Sequence, residues 1–420
     1  MKILWITNIL FPEAVEKLTG KGEFRSSGGW MLASADMIIQ YEGVELYVAT
    51  VSPLVRKIEV ILGKQITYYV LPYGKGNLKY NKEYESYWKQ IKELVSPDVV
   101  HIHGTEYTHG LAYVKACGNE RVVISVQGLK SGIVPYYCAG LSWKDIYGNI
   151  TLRDIIKGSI YREQRRFYRT GELEKEMIRS VNHIIGRTSW DRSHLWAINP
   201  RVNYHICNET LRKEFYEGEK WSFEKCIPYS IFLSQGSYPL KGLHQVLKAM
   251  PLILRHYPNA TIRVAGADIT RSKGLLGLLH FTGYGKIVKK LLKKLHLEDK
   301  VSFLGPLNAE QMETEYLQSN VFICPSSIEN SPNSLGEAQI LGVPCIASYV
   351  GGIPDFMQGS EQYMYRFEEV EMLAEKVVRL FDTSSSYDGE NISRMAIERH
   401  ESTKNSVELM NVYSRILKDK

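Results

Sequence analysis

The sequence predicts an α/β protein of two doubly wound domains facing each other, each a parallel sheet with helices on both sides. Three observations carry this. Short apolar runs alternate with amphipathic helical stretches along the whole chain, the pattern of strand–helix–strand units that feed a parallel sheet. The runs are β-branched and apolar on both faces, which suits strands buried between helix layers. The length of 420 residues, at about 150 residues per domain, supplies two or three cores.

In the first half the strand-like runs are KILWIT (2–7), VELYVAT (44–50), ITYYVL (66–71), DVVHIH (98–103), RVVISV (121–126) and HIIG (183–186). In the second half they are SIFLSQ (230–235), TIRVAG (261–266), VSFLG (301–305), VFICP (321–325) and PCIASY (344–349). Helices are predicted between them at GGWMLASADMIIQYEG, KGLHQVLKAMPLILRHYP and NAEQMETEYLQS. A linker is expected near 211–228, which is polar, aromatic and aperiodic. Two stretches read as insertions. Residues 128–160 are rich in Gly, Tyr and Ser and lead into an Arg-dense segment, and 271–297 ends in a lysine-rich helix with Ile287, Leu291 and Leu295 on one face.

Hydrophobic residues at 44% and charged residues at 23% exclude disorder, collagen-like repeats and a disulfide scaffold. A net charge of +6 permits phosphate or anionic membrane contact without requiring either. The cysteines Cys117, Cys138, Cys207, Cys226, Cys324 and Cys345 form no CxxC pair, so reduced thiols are expected rather than bridges or zinc ligands. The opening MKILWITNILFPE is broken by Asn8, Pro12 and Glu13, which suits a first strand better than a signal peptide. No window offers 18 uncharged apolar residues, so no membrane span is predicted and a cytoplasmic protein is expected.

The most informative segment is SSIENSPNSLGEAQILGVPCIASYVGGIPD (326–355). A strand ends at Pro325, a loop carries Glu329, and a short helix begins near Ser334 with Glu337 in its first turn and Gly342-Val-Pro344 closing it. Loop amides and a helix N-terminus make a concave set of donors biased toward anions. Two carboxylates beside such a site bind neutral hydroxyls, so together they describe a nucleotide sugar. Ser334-x-x-Glu337 also fits a capping box, in which Glu337 serves only its own helix. Glu329 also reads as a solvated loop carboxylate, and Gly28-Gly29 as a turn.

Glu329 and Glu337 form an E-x7-E motif, followed by E-A, G-V-P and G-G-I-P-D; SQGSYPLKGLHQVLKAM supplies a phosphate-type segment, and Gly28-Gly29, DVVHIHG and a final helix after Arg399-His400 fall in the same order. In these features, over nearly the whole chain, the sequence resembles glycosyltransferase family 4. That resemblance implies a GT-B architecture, two Rossmann-like domains facing a cleft. An acceptor-binding domain is expected over 1–215, with the C-terminal helix 400–420 packing back on it, and a donor-binding domain over 228–399. It implies metal-independent transfer with retention of configuration and no cofactor beyond the donor. By carry-over, Glu337 holds the ribose hydroxyls and Glu329 the sugar hydroxyls. Lys241 neutralises the diphosphate, amides around Asn333, Ser334 and Leu335 meet sugar and diphosphate, and Gly28 and Gly29 allow a close approach to the phosphates.

Two positions depart from the family pattern. Ser237 stands where an Arg is common, and Gln127-Gly128 stands where His-Gly is common. A Gln hydrogen-bonds but does not titrate, so catalysis rests on positioning and on electrostatics at the leaving diphosphate. His101, His103 and His109 lack a spaced carboxylate or Cys to complete a metal set. The resemblance therefore implies a retaining hexosyl- or related transferase that moves sugar from a UDP- or GDP-linked donor to a saccharide acceptor. By the same resemblance the acceptor is expected to be lipid-linked, in bacterial surface polysaccharide synthesis. Peripheral membrane contact is expected through 286–297, and nucleic-acid binding is not. The rival readings are a non-catalytic nucleotide- or saccharide-binding protein and a nucleotide-sugar epimerase.

Overall fold

The computed structural model describes residues 1–20, 29–73, 79–271, 274, 277 and 279–419. The chain divides into two compact units, one of residues 1–132, 166–211 and 400–420, the other of 133–165 and 212–399.

The first unit is built on an eight-stranded sheet of order β3-β4-β2-β1-β5-β6-β7-β8. Its strands are β1 (Lys2–Thr7), β2 (Glu45–Ser52), β3 (Glu59–Leu62), β4 (Ile66–Pro72), β5 (Val99–His103), β6 (Val122–Ser125), β7 (His183–Gly186) and β8 (Asn203–Ile206). All neighbours are parallel except β3 and β4. The crossovers use α1 (Pro12–Thr19), α2 (Gly29–Ile38), α3 (Glu83–Val95) and α4 (Thr108–Cys117). After β6 the chain passes through α5 (Trp143–Tyr147) and α6 (Leu152–Lys157), which belong to the second unit, and returns along α7 (Ile160–Arg179) before α8 (Ser189–Ile198). Every residue of β5, β6 and β7 is buried, as central parallel strands between helix layers require.

The last helix, Ser402–Lys418, seals one face of this sheet with Leu409, Val412, Tyr413 and Ile416. The Tyr413 hydroxyl accepts from Trp5 Nε1 at 2.9 Å and hydrogen-bonds with His101 Nδ1 at 2.7 Å. His101 reaches Ser125 with its other nitrogen and stacks on His103 with ring centroids 3.8 Å apart. Burial pulls the His101 pKa down to about 3, and burial, then His101 itself, carries His103 well below the usual histidine value. Both are neutral core histidines.

The second unit holds a six-stranded sheet of order β11-β10-β9-β12-β13-β14. Its strands are β9 (Ile227–Leu233), β10 (Thr261–Val264), β11 (Val301–Phe303), β12 (Ser319–Cys324), β13 (Cys345–Ser348) and β14 (Met364–Tyr365), all parallel. Between them run α9 (Leu243–His256), α10 (Gly283–Leu295), α11 (Ala309–Gln318) and α12 (Asn333–Ile340), followed by α13 (Val370–Thr383) and α14 (Glu390–His400). Numbered within the unit, the strand order is 3-2-1-4-5-6, the doubly wound arrangement whose ligand crevice opens at the carboxyl ends of the two strands where the winding reverses. Those strands are β9 and β12.

Two expected boundaries move. Residues 133–165 lie in the second unit instead of the first, because Leu141 and Ile146 enter its core. His244 also binds the Ala139 carbonyl at 2.8 Å, and Ser327 donates to the Tyr136 carbonyl at 3.1 Å. The segment expected as a linker is packed as well. Phe215 is fully buried, and Trp221 donates its amide to Leu341 and its indole to Ser319, both at 2.8 Å. The second unit thus starts at Arg212. The strands that sequence reading passed over, β3, β8 and β14, are all sheet edges. An edge strand such as β3 or β8 needs no apolar face on both sides, so a search for doubly apolar runs misses it, and β14, though buried, is only two residues long.

Candidate donor site

The carboxyl ends of β9 and β12 carry the two loops that hold the predicted site residues. After β9 the chain passes Ser237, half-buried, and reaches Lys241 one residue before Gly242, which precedes α9. After β12 it carries Ser326, Ser327 and Glu329 into α12, where Asn333 and Ser334 are half-buried and Leu335 and Glu337 are buried. The Ser327 amide donates to the Leu240 carbonyl at 2.8 Å and ties the loops together. Gly242 stands at φ +68°, and a Cβ there would collide with the Pro325 carbonyl oxygen. Gly351 stands at φ +53°, where a Cβ would strike the Glu329 carbonyl oxygen, while the next amide, Gly352, donates to that oxygen at 3.0 Å. Both positions need glycine for conformation and for space.

These loops bring Lys241 and Glu329 into a direct ion pair, and Ser326 adds a hydroxyl to the same carboxylate oxygen at 2.8 Å. Burial opposes the Lys241 charge, but the Glu329 carboxylate, with Tyr238 beside it, outweighs burial and raises the lysine pKa. The ammonium is therefore firmly cationic at neutral pH, one residue ahead of a helix N-terminus.

Glu337 is 6% exposed. Arg212 grips one of its oxygens through Nε at 3.1 Å and Nη2 at 2.7 Å, and Tyr316 donates to the other at 3.3 Å. Burial raises the Glu337 pKa and Arg212 opposes the rise. The capping-box geometry is absent. The helix starts at Asn333 after Pro332, so Ser334 lies inside the first turn and Pro332 offers no side-chain cap. Of the three amides expected to meet the donor, that of Leu335 donates to the Pro332 carbonyl at 3.0 Å, closing the first turn of its own helix.

The remaining predicted residues belong to the first unit. Gly29 opens α2, and Gly28 lies outside the described residues. Gln127 follows β6 and lines a cleft of about 510 Å³ with Asn8, His103, Glu106, Lys130 and Phe167. This cleft sits at the carboxyl ends of β1, β5 and β6, where the winding of that sheet reverses. Burial pushes the Glu106 carboxyl up to about 7, with the Glu174 charge adding to the rise and Lys130 opposing it. Lys130 is 8% exposed, donates to the Glu106 carbonyl, and lies over the Tyr107 and Phe167 rings at 5.7 and 5.6 Å.

Sequence reading missed Arg212, Tyr316, Glu106 and Lys130. Arg212 and Tyr316 are remote in sequence from Glu337 and carry no motif. Glu106 was legible in principle, since it follows β5 at a strand end where doubly wound sheets place ligand groups. Among the described residues no group of three or more His, Cys, Asp or Glu side chains is arranged to hold a metal ion.

Residues 220–398 match the family model described as glycosyl transferases group 1. N-acetyl-alpha-D-glucosaminyl L-malate synthase of Bacillus anthracis is 29% identical over 135 residues, 31% of this chain and 35% of that protein. The phosphatidylinositol N-acetylglucosaminyltransferase gpi3 subunit of Schizosaccharomyces pombe is 24% identical over 205 residues, 48% of this chain and 41% of that one. The matches thus span well under half of these curated relatives. Among solved structures, sucrose-phosphate synthase of Thermosynechococcus elongatus superposes with a TM-score of 0.69 at 16% identity, covering 99% of this chain and 98% of that one. Anabaena HepE in complex with UDP and glucose superposes at 0.64 with 14% identity, over 99% and 100% of the two chains. The fold is GT-B, and residues 220–398 are similar to the glycosyl transferases group 1 family.

Proposed function

We propose that the protein is a retaining, metal-independent glycosyltransferase that moves a hexose or related sugar from a UDP- or GDP-linked donor to a saccharide acceptor carried on lipid, as in bacterial surface polysaccharide synthesis. The observation that carries the reading is the pair of glutamates at the β9/β12 crevice, one on Lys241 and the other on Arg212. A nucleotide sugar presents a diphosphate flanked by two sets of neutral hydroxyls. Lys241 suits the diphosphate, Glu329 the sugar hydroxyls and Glu337 the ribose. Ser237 and the amides of Asn333 and Ser334 line the approach to the phosphates. Each carboxylate rests on a cation, which keeps a partly buried charge paired until hydroxyls replace or share that partner.

The reaction needs a cation at the leaving diphosphate and a group to receive the acceptor proton. Lys241 supplies the first, and the departing phosphate oxygen takes the proton when the acceptor hydroxyl attacks from the same face. Gln127 has no titratable group and serves as a hydrogen-bonding, positioning residue. The acceptor side is assigned to the cleft of Gln127, Glu106 and Lys130, whose mixed carboxyl and ammonium lining suits a hydroxylated ligand bearing negative charge. A lipid-linked acceptor places the reaction at a membrane surface, with the segment 286–297, which holds most of α10, as the contact.

A thermal-shift panel of UDP, GDP, ADP, CMP and dTDP on wild type and Glu337→Ala tests the donor assignment. A ligand at 100 times its Kd adds about 2.7 kcal/mol. One nucleotide that stabilises only the wild type supports the assignment, and stabilisation by none removes it. With a matched donor, EDTA should leave turnover unchanged, and the product should keep the donor's anomeric configuration by NMR. Loss of turnover that added metal restores would end the metal-free mechanism.

A further inference from the structure

The inserted segment of the second unit orders two short helices whose apolar faces meet water. In α5, Ile146 enters the core while Trp143 and Tyr147, one turn apart, stay exposed. In α6, Leu152, Ile155 and Ile156 are exposed on one face, Ile155 at 67%. Neither helix is loose. Each carries a complete capping box, Ser142 with Asp145 and Thr151 with Asp154. A fold that caps such short helices and still leaves their large apolar side chains uncovered is presenting a surface.

The lysine-rich helix lies beside them. The first turn of α10 abuts this segment, since a Cβ on Gly283 would meet the Asn149 carbonyl at 3.1 Å, and Lys286 Nζ reaches the Ile150 carbonyl at 3.5 Å. Ile287, Val288 and Leu292 of α10 are buried, so its remaining lysines Lys289, Lys290, Lys293 and Lys294 project outward. No acidic residue interrupts α10. Lys144 and Lys157 add exposed cations on α5 and α6 themselves.

We propose that α5, α6 and α10 form a docking surface for an anionic lipid bilayer, in which Trp143, Tyr147, Leu152, Ile155 and Ile156 enter the headgroup boundary and the lysines meet acidic headgroups. Trp and Tyr favour that boundary, and apolar residues rimmed by lysine are the composition of interfacial helices. The occupant is a lipid surface because the lysines call for a dense negative field and the apolar residues call for a hydrocarbon edge beside it. Among the described residues no helix is long and apolar enough to cross a membrane, so the contact is one of adsorption. It deepens the membrane contact in the proposed function, yet vesicle binding requires neither donor nor acceptor, so its failure leaves sugar transfer untouched.

The test is co-sedimentation of the full chain with phosphatidylcholine vesicles, with and without phosphatidylglycerol. Wild type should bind only the mixed vesicles. Ile155→Ser with Ile156→Ser should lower the partition coefficient about tenfold, and Lys289→Glu with Lys290→Glu at least as far, at about fivefold per lysine lost. All four positions are exposed, so thermal stability should not move. Equal partitioning of wild type and variants, or no binding of wild type to either vesicle, overturns the proposal. A wild type that dimerises in sedimentation velocity while the Ile155/Ile156 variant is monomeric assigns the surface to a second copy instead and overturns it equally.

Discussion

Glu337 and Glu106 are both carboxyls whose pKa burial raises, with different consequences. Glu337 keeps a guanidinium on one oxygen and a phenol on the other, so its charge is compensated even while buried. Removing it should cost nucleotide affinity about 1.5–3 kcal/mol, the range for hydrogen bonds to a charged group. Titration calorimetry of Glu337→Ala with the stabilising nucleotide measures this, and unchanged affinity would reduce Glu337 to a structural partner of Arg212. Glu106 has weaker compensation and sits near 7 instead of its ordinary 4.5. The folded carboxyl therefore holds its proton to higher pH than the unfolded chain does, and the free energy of unfolding falls as pH rises between those values. Glu106→Gln cannot titrate, so it should lose about 1–3 kcal/mol less stability than wild type between pH 5 and pH 8. Urea denaturation at the two pH values checks it, and parallel losses would mean that Glu106 ionises normally.

The two crevice loops work as elements because glycine lets backbone meet backbone. Gly242 combines a left-handed conformation with contact against the Pro325 carbonyl, so the end of β12 is braced against the turn that delivers Lys241. Gly242→Ala introduces both strain and a clash. It should destabilise the chain by about 1–3 kcal/mol and loosen nucleotide binding with it, read by urea midpoint and calorimetry. A midpoint equal to wild type would show that the loops have room to part. The sequence made these loops legible as a motif, since glycines, prolines and glutamates at fixed offsets mark strand–loop–helix junctions. It did not make legible why each glycine is required, because the colliding carbonyls belong to segments remote in the chain.

Across the whole molecule the chain crosses between its units more than once. The C-terminal helix returns to the first strand, where Tyr413 meets Trp5 and His101. Tyr413→Phe would strand a buried indole N–H and a buried imidazole nitrogen in one step. At about 1–3 kcal/mol for each unsatisfied group, it should lower the stability of the first unit by about 2–6 kcal/mol in urea unfolding followed by Trp fluorescence. A loss under 1 kcal/mol would mean that other groups, or water, take over both bonds.

The sequence by itself determined the fold class, the central strands, the GT-B likeness and the placement of Lys241, Glu329 and Glu337 on the loops and helix that follow β9 and β12, because each rests on local information: residue type at fixed spacing, the period of burial, and turn residues at strand ends. Tertiary structure alone decided the partners of those groups. Arg212 reaches Glu337 only when the expected linker packs as part of the second unit, and residues 133–165 join that unit because Leu141 and Ile146 find their core there. The same is true of Glu106, whose perturbed carboxyl is a property of its burial and neighbours. Desolvation and pairing depend on what surrounds a group in space, and no pattern along the chain encodes that.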